Sequence, residues 1–172
     1  MPKTFEKDFI SYCNNQELEV NPNQIAVIKK LEQYYQSNFK SFISKLLSKQ
    51  NSKKGFYLFG GVGVGKTMIL NFFIDQIDQK KLRQHFNEFM LSFHDFAHER
   101  KGKNEENVIN QFVKNLKLKA SLIYFDEFQV TNIVDAMILG KLFDQIFKED
   151  IKIIVTSNTK ISELYKDGLQ WD

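Results

Sequence analysis

The chain is poor in the features that would place it outside the ordinary globular class. A single cysteine, Cys13, stands among its 172 residues; no intramolecular disulfide can form, which fits a reducing compartment. No apolar run reaches the roughly 20 residues that a membrane-spanning helix needs. The opening stretch MPKTFEKDFISY mixes acids with lysines and has no apolar segment. It does not read as a signal or transit peptide, and the expected address is the cytoplasm. Neither sign of charge dominates: 24 basic residues are interspersed with 21 acidic ones, for a net charge of +3. With no basic stripe visible, no nucleic-acid partner is expected. Internal repeats and low-complexity segments are lacking too. What is plentiful is phenylalanine, with 17 residues, and that predicts an aromatic-heavy core. The length suits one domain with a core of its own.

Residues 1–20 show no clear period. Beyond them NPNQ offers Asn21 as a helix N-cap, Pro22 at the first helical position and Gln24 reaching back in a capping box. Ile25, Ile28, Leu31, Tyr35, Phe39, Phe42 and Leu46 then recur at steps of three and four. They predict one long helix, or two broken near Ser37–Asn38. SKQNSKKG is a polar connector. From Gly55 the pattern changes to short apolar runs: GFYLFGG, SLIYFDEF and IKIIVTSN read as strands buried on both faces, and RQHFNEF as a shorter, more polar one. Helical stripes lie between them. Met68, Ile69, Phe72, Phe73 and Ile77 form the first, and Val108, Ile109, Phe112, Val113 and Leu116 the second. Met137, Ile138, Leu142, Phe143, Ile146 and Phe147 form the third. Strand–helix alternation of this kind implies an α/β fold with a mostly parallel sheet. The expected organisation is an N-terminal helical extension over 1–54 and a core over 55–172.

GGVGVGKT, from Gly60 to Thr67, fits the pattern G-x-x-x-x-G-K-[ST] and stands between an apolar strand and a helical stripe. Glycines there let successive backbone N–H groups turn inward around phosphate oxygens, and the helix N-terminus adds partial positive charge. The phosphate cradle is Gly60, Gly61, Val62, Gly63, Val64, Gly65, Lys66, Thr67 and Met68. Lys66 is expected on the β- and γ-phosphates of ATP and Thr67 on Mg²⁺. LIYFDEF ends a buried strand in two adjacent carboxylates, which packing alone would disfavour. Beside a phosphate loop, Asp126 would hold Mg²⁺ through water and Glu127 would polarise the attacking water. Asn158, closing IIVTSN, either orients that water or serves only as a turn residue. His94 and His98 in HDFAH have helical i, i+4 spacing. The Glu that a metalloprotease needs after the first His is Asp95 here, so packing or surface roles are expected for both. No Asn-Lys-x-Asp motif reads a guanine base.

GFYLFGGVGVGKTMILNFFID, RQHFNEFMLSFHDFAHE, LIYFDEFQVTNIVDAMILGKLFDQIF and IIVTSNTKISELYKDGLQ resemble, in that order, the ZapE cell-division ATPase family. That family belongs to the AAA+ class and includes the mitochondrial AFG-one-like ATPases. The resemblance runs from about residue 20 to the end. It implies an AAA+ P-loop NTPase with three α/β/α layers and sheet order five, one, four, three, two. Gly60, Gly65, Lys66 and Thr67 become Walker A, Asp126 and Glu127 Walker B, and Asn158 sensor one. It also links the chain to bacterial division machinery and the FtsZ ring, at the inner membrane or division site, or to mitochondrial protein quality control.

Family members continue past GLQ with arginine, a fifth core strand and an α-helical lid. Here Gln170 is followed by Trp171 and Asp172. The resemblance therefore implies a core without its last strand, its lid and a candidate arginine finger. The expected function is an ATP-binding ATPase whose turnover is in question. The alternatives are a nucleotide-binding interaction module that docks to itself, to full-length relatives or to a division partner, and a remnant of a split gene.

Overall fold

A computed structural model describes residues 4–39, 53–131 and 133–164. Phe42, Leu46, most of the polar connector and the end of the chain from Tyr165 lie outside the described residues. The elements are α1 (Phe5–Asn15), α2 (Pro22–Phe39), β1 (Gly55–Phe59), α3 (Lys66–Gln76), β2 (Lys81–His85) and α4 (Phe86–His98). After them come α5 (Glu105–Lys119), β3 (Leu122–Asp126), α6 (Ile133–Lys148), β4 (Lys152–Ser157) and a 3₁₀ turn (Ile161–Glu163). They fall into two compact units. One joins the described residues up to Lys53 with Gly63–Asp78; the other joins Lys54–Val62 with the residues from Gln79 onward.

The first unit is helical. The sequence offered no period before residue 20, yet Phe5, Phe9 and Cys13 are buried at four-residue steps along α1. Three buried positions, with Ile10 and Tyr12 interrupting the spacing, give too thin a stripe to read unaided. Aromatic edges fix the packing: Phe5 meets Tyr35 and Phe73 edge-on at 5.6 Å, and Phe9 meets Phe72 at 5.1 Å. Such T-shaped pairs align ring edge with ring face and add about 0.5–1.5 kcal/mol each to area burial. Helix α2 opens as its cap predicts, with Asn21 Oδ1 accepting from the Asn23 N–H at 2.9 Å. Ser37 and Asn38 are both helical, and the choice between one helix and two lies beyond Phe39, outside the described residues. Asn38 is buried, and its side-chain amide donates to the carbonyls of Tyr34 and Lys53 at 3.0 Å each.

The second unit holds a four-stranded sheet in the order β1-β4-β3-β2, parallel at every pairing. That is the order the resemblance implies for strands one to four. Every residue of β3 and β4 is buried, as their unbroken apolar runs predict, whereas β1 and β2 are only partly so. Ile123, Phe125, Ile153 and Val155 pack with α4, α5 and α6 through Phe89, Phe93, Phe112, Val113, Leu142 and Ile146. One expectation is corrected here: RQHFNEF is not a strand throughout. The strand ends at His85, because Phe86, Phe89, Met90 and Phe93 are buried at helical spacing in α4. Met137 is likewise no core residue; it is 64% exposed on α6, and Ala136 is buried instead.

Candidate functional site

Register places the chemistry of the sheet unit at one edge. Phe59 pairs with Ser157, Phe125 with Val155 and His85 with Asp126, so the four strands end within one residue of one another. Gly60, Asp126, Glu127, Thr156, Ser157 and Asn158 leave the sheet together there. In open parallel sheets this carboxyl edge is where ligands bind.

The two acids have separate environments. Asp126 is 5% exposed and Glu127 is exposed. Glu127 takes a left-handed backbone (φ 55°), which turns the chain out of the strand between the acids. A non-glycine residue holds such a φ only where its surroundings over-determine it. Thr156 does much of that. Its hydroxyl donates to Asp126 Oδ1 at 2.7 Å and accepts from the Glu127 N–H at 3.3 Å, while its carbonyl accepts from the Phe128 N–H at 2.7 Å. Asp126 Oδ2 accepts from Arg83 Nη2 at 2.9 Å, and that guanidinium lies over the Tyr124 ring, 5.4 Å from its centre. Burial pushes the Asp126 carboxyl up, but the hydrogen bonds from Thr156 and Arg83 and the nearby guanidinium outweigh it and hold it below the usual range. Burial, and then the charge of Asp126, push the Tyr124 phenol up to about 12. Its hydroxyl lies near Asp126 and Thr156 but is in hydrogen-bond geometry with neither.

The end of β4 ties the neighbouring loops together. The Gly60 N–H donates to the Ser157 carbonyl at 3.2 Å, the Ser157 hydroxyl to the Phe128 carbonyl at 2.8 Å, and the Tyr57 hydroxyl to the Thr159 carbonyl at 2.7 Å. Asn158 is exposed just beyond these contacts.

Gly60, Gly61 and Val62 belong to the sheet unit; Gly63 through Met68 belong to the helical one. Gly63 (φ 81°) and Gly65 (φ 85°) take the left-handed turns that the motif demands. Gly65 is the N-cap of α3 and supplies no side-chain cap, and Lys66 and Thr67 are the first two residues of that helix. Gln24 departs from its expected role. Its amide Nε2 does not reach back to Asn21 but donates to the Val64 carbonyl at 3.1 Å, bracing the loop from α2.

Sequence reasoning missed Arg83, Thr156, Tyr124 and this use of Gln24. The one available signal was alternation: Arg83, Tyr124, Asp126 and Thr156 all face one side of adjacent strands once register is known. His94 does not pair with His98 as a chelate. Its Nε2 lies 2.6 Å from Asp135 Oδ1. Among the described residues no group of three or more His, Cys, Asp or Glu could hold a metal by itself, and no helix is long and apolar enough to cross a membrane.

Residues 7–172 match the family model of AFG1-like ATPases. Lactation elevated protein 1 homolog B of Danio rerio is 38% identical over 144 residues, covering 78% of this chain and 29% of that protein. Cell division protein ZapE of Escherichia coli K12 is 36% identical over 126 residues, covering 72% of this chain and 32% of its own. The chain thus spans under a third of the length of these relatives. Among solved structures, the replication initiator DnaA bound to AMPPCP and single-stranded DNA aligns with a TM-score of 0.61 at 15% identity. That alignment covers 99% of this chain and 46% of the other. DnaI aligns with a TM-score of 0.54 at 19% identity, over 87% and 73% of the two chains. At these identities the likeness speaks for the fold alone.

Proposed function

This chain belongs to the AFG1-like ATPase family and has the AAA+ P-loop fold, and we propose that it binds ATP with Mg²⁺ and hydrolyses it. The observation that carries the reading is the loop. Two left-handed glycines lead into the N-terminus of α3, whose N-cap is the second of them, and a glycine loop opening a helix in this way suits an anion. Gly60, Gly61, Val62, Gly63, Val64, Gly65 and Met68 would line the phosphates, and Lys66 would neutralise the β- and γ-phosphates.

The residues present fit Mg²⁺. This ion keeps several waters and takes one or two protein ligands beside the phosphates, so no three-residue cluster is needed. Thr67 and Asp126 would hold it. Each oxygen of Asp126 already accepts one hydrogen bond, from Thr156 or from Arg83, and keeps acceptor capacity for a metal-bound water. When bound, the ion would neutralise charge on the phosphates. Glu127, turned out of the strand and exposed, would take the proton of the attacking water, and Asn158 would orient that water against the γ-phosphate.

Residues 1–54 would form a helical extension to a P-loop core over 55–172, in a cytoplasmic protein. The Escherichia coli relative is named a cell division protein, which supports a partner in the division machinery, FtsZ by family resemblance, or self-association with AAA+ relatives. Calorimetric titration with Mg·ATP tests the central reading. Wild type should bind, Lys66→Ala should lose the binding, and Glu127→Gln should keep it while losing turnover. Binding without turnover in wild type would make the chain a nucleotide-dependent interaction module instead. No binding at all would end the proposal. Co-sedimentation with FtsZ polymers, with and without ATP, tests the partner.

A further inference from the structure

Arg83 was not called for by any motif, yet it makes one of the two hydrogen bonds that fix the most buried carboxylate of the candidate site. Its Nη2 is 2.9 Å from Asp126 Oδ2, its side chain is 48% exposed against 7% for Asp126, and its guanidinium carbon lies over the Tyr124 ring, 5.4 Å from the centre. The other carboxylate oxygen is held independently, by the Thr156 hydroxyl at 2.7 Å. The same hydroxyl accepts from the Glu127 N–H. Place and charge are therefore supplied by different residues. Thr156 sets where the Asp126 carboxylate sits, and Arg83 sets how much of its negative charge is left for another cation.

We propose that Arg83 and Thr156 are positioning residues with opposite effects on the metal requirement: Arg83 shares Asp126 with Mg²⁺ and so weakens its hold, while Thr156 strengthens that hold by fixing the carboxylate. This rests on the reading of Asp126 as a Mg²⁺ residue beside bound ATP. A fixed guanidinium and a divalent cation compete for one anion, and Coulomb repulsion between them is felt at a half-exposed site, though solvent and salt reduce it. A cation shared in this way keeps Mg²⁺ exchange easy between nucleotide-bound and nucleotide-free states. The Tyr124 ring beside Arg83 adds a cation–π attraction that favours the guanidinium at this place.

The test is a Mg²⁺ titration of fluorescent-ATP-analogue binding to the full chain, with the metal-free affinity measured alongside. Arg83→Ala should lower the Mg²⁺ concentration at half-saturation about three- to tenfold, an effect that shrinks as salt is raised. Thr156→Val should raise it by a similar factor, with little dependence on salt. Metal-free affinity should stay constant in both. Arg83→Lys, which keeps a cation, should lie between Arg83→Ala and wild type, and it serves if the alanine variant does not fold. A general loss of structure would move both variants the same way and would shift metal-free binding too, so that result overturns the proposal. So does an unchanged or raised Mg²⁺ requirement in Arg83→Ala, or wild-type binding indifferent to Mg²⁺. If wild type binds no analogue at any Mg²⁺ concentration, the ATP reading itself falls and takes this inference with it.

Discussion

In the loop from Gly60 to Thr67 the candidate site is built mostly from backbone conformation, whereas at the end of β3 it is built from side chains that reach one another from three strands. The loop needs residues that do not interfere: two left-handed glycines and a helix N-terminus without a side-chain cap. The strand end needs residues that do. Asp126 is held by Thr156, 30 positions away in sequence, and by Arg83, 43 positions away. A backbone device is robust to most substitutions beside it but intolerant at its glycines. A side-chain network loses stability where a removed member leaves a buried polar group without its partner.

Thr156→Val should therefore break the contrast most sharply. Valine has nearly the same shape but leaves Asp126 Oδ1 and the Glu127 N–H each without the Thr156 oxygen. A buried polar atom without its partner costs about 1–3 kcal/mol, so urea melts should show a loss on the order of 2–3 kcal/mol. Glu127 is exposed and its N–H can turn to water, which places most of that loss on Asp126. A Thr156→Ser variant, which restores the hydroxyl, should recover most of it.

What the sequence revealed follows the same division. The loop was legible because its requirements are consecutive: glycine spacing, Lys66 and Thr67 lie within eight residues. So were the strands carrying the acids and the cap at Asn21. Arg83 and Thr156 were not, since nothing in RQH or VTS marks a partner for Asp126 until parallel pairing fixes the register. RQHFNEF reads as a short, polar strand along the chain, yet the strand ends at His85 and the phenylalanines that follow are spaced for a helix. Gln24 sat where a capping box predicts a local bond and made a longer-range one to Val64 instead. Local chemistry can be read along the chain; chemistry assembled by the sheet needs the sheet.

A pH experiment separates the two regions next, since the acidic strand end has a buried tyrosine and the loop has none. The folded Tyr124 phenol is pushed up to about 12 from its ordinary value of 10. A group whose folded pKa is raised contributes stability that is complete below its unfolded pKa and is lost as pH rises through the folded one. Stability should thus fall between pH 10 and about 12, with a share on the order of 2 kcal/mol from Tyr124. Tyr34 and Tyr57 are raised by burial as well and add to the fall. Denaturant melts from pH 8 to 11.5 check this: Tyr124→Phe should be at least as stable as wild type at pH 8, since the lost hydroxyl makes no hydrogen bond there. It should then lose less as pH rises. A parallel decline in the two proteins would remove the buried phenol from the account.

The smallest expected effect lies in the loop, at Gly65. An added methyl would meet Gln24 Nε2 at 2.7 Å and would also sit on a backbone with φ 85°. The first conflict is cheap, because the tip of a glutamine can swing away at the loss of one exposed hydrogen bond to Val64. The second is not: an L-residue in the left-handed region costs about 1–2 kcal/mol wherever the side chain points. Gly65→Ala should therefore lose about 1–2 kcal/mol, and Gln24→Ala alone a few tenths. The double variant should be within about 0.5 kcal/mol of Gly65→Ala, because trimming Gln24 relieves contact and not conformation. Full rescue by Gln24→Ala would show instead that packing by α2, rather than backbone geometry, makes glycine necessary. The loop would then resemble the strand end in depending on a distant side chain, and the contrast between the two regions would narrow to the identity of the partner.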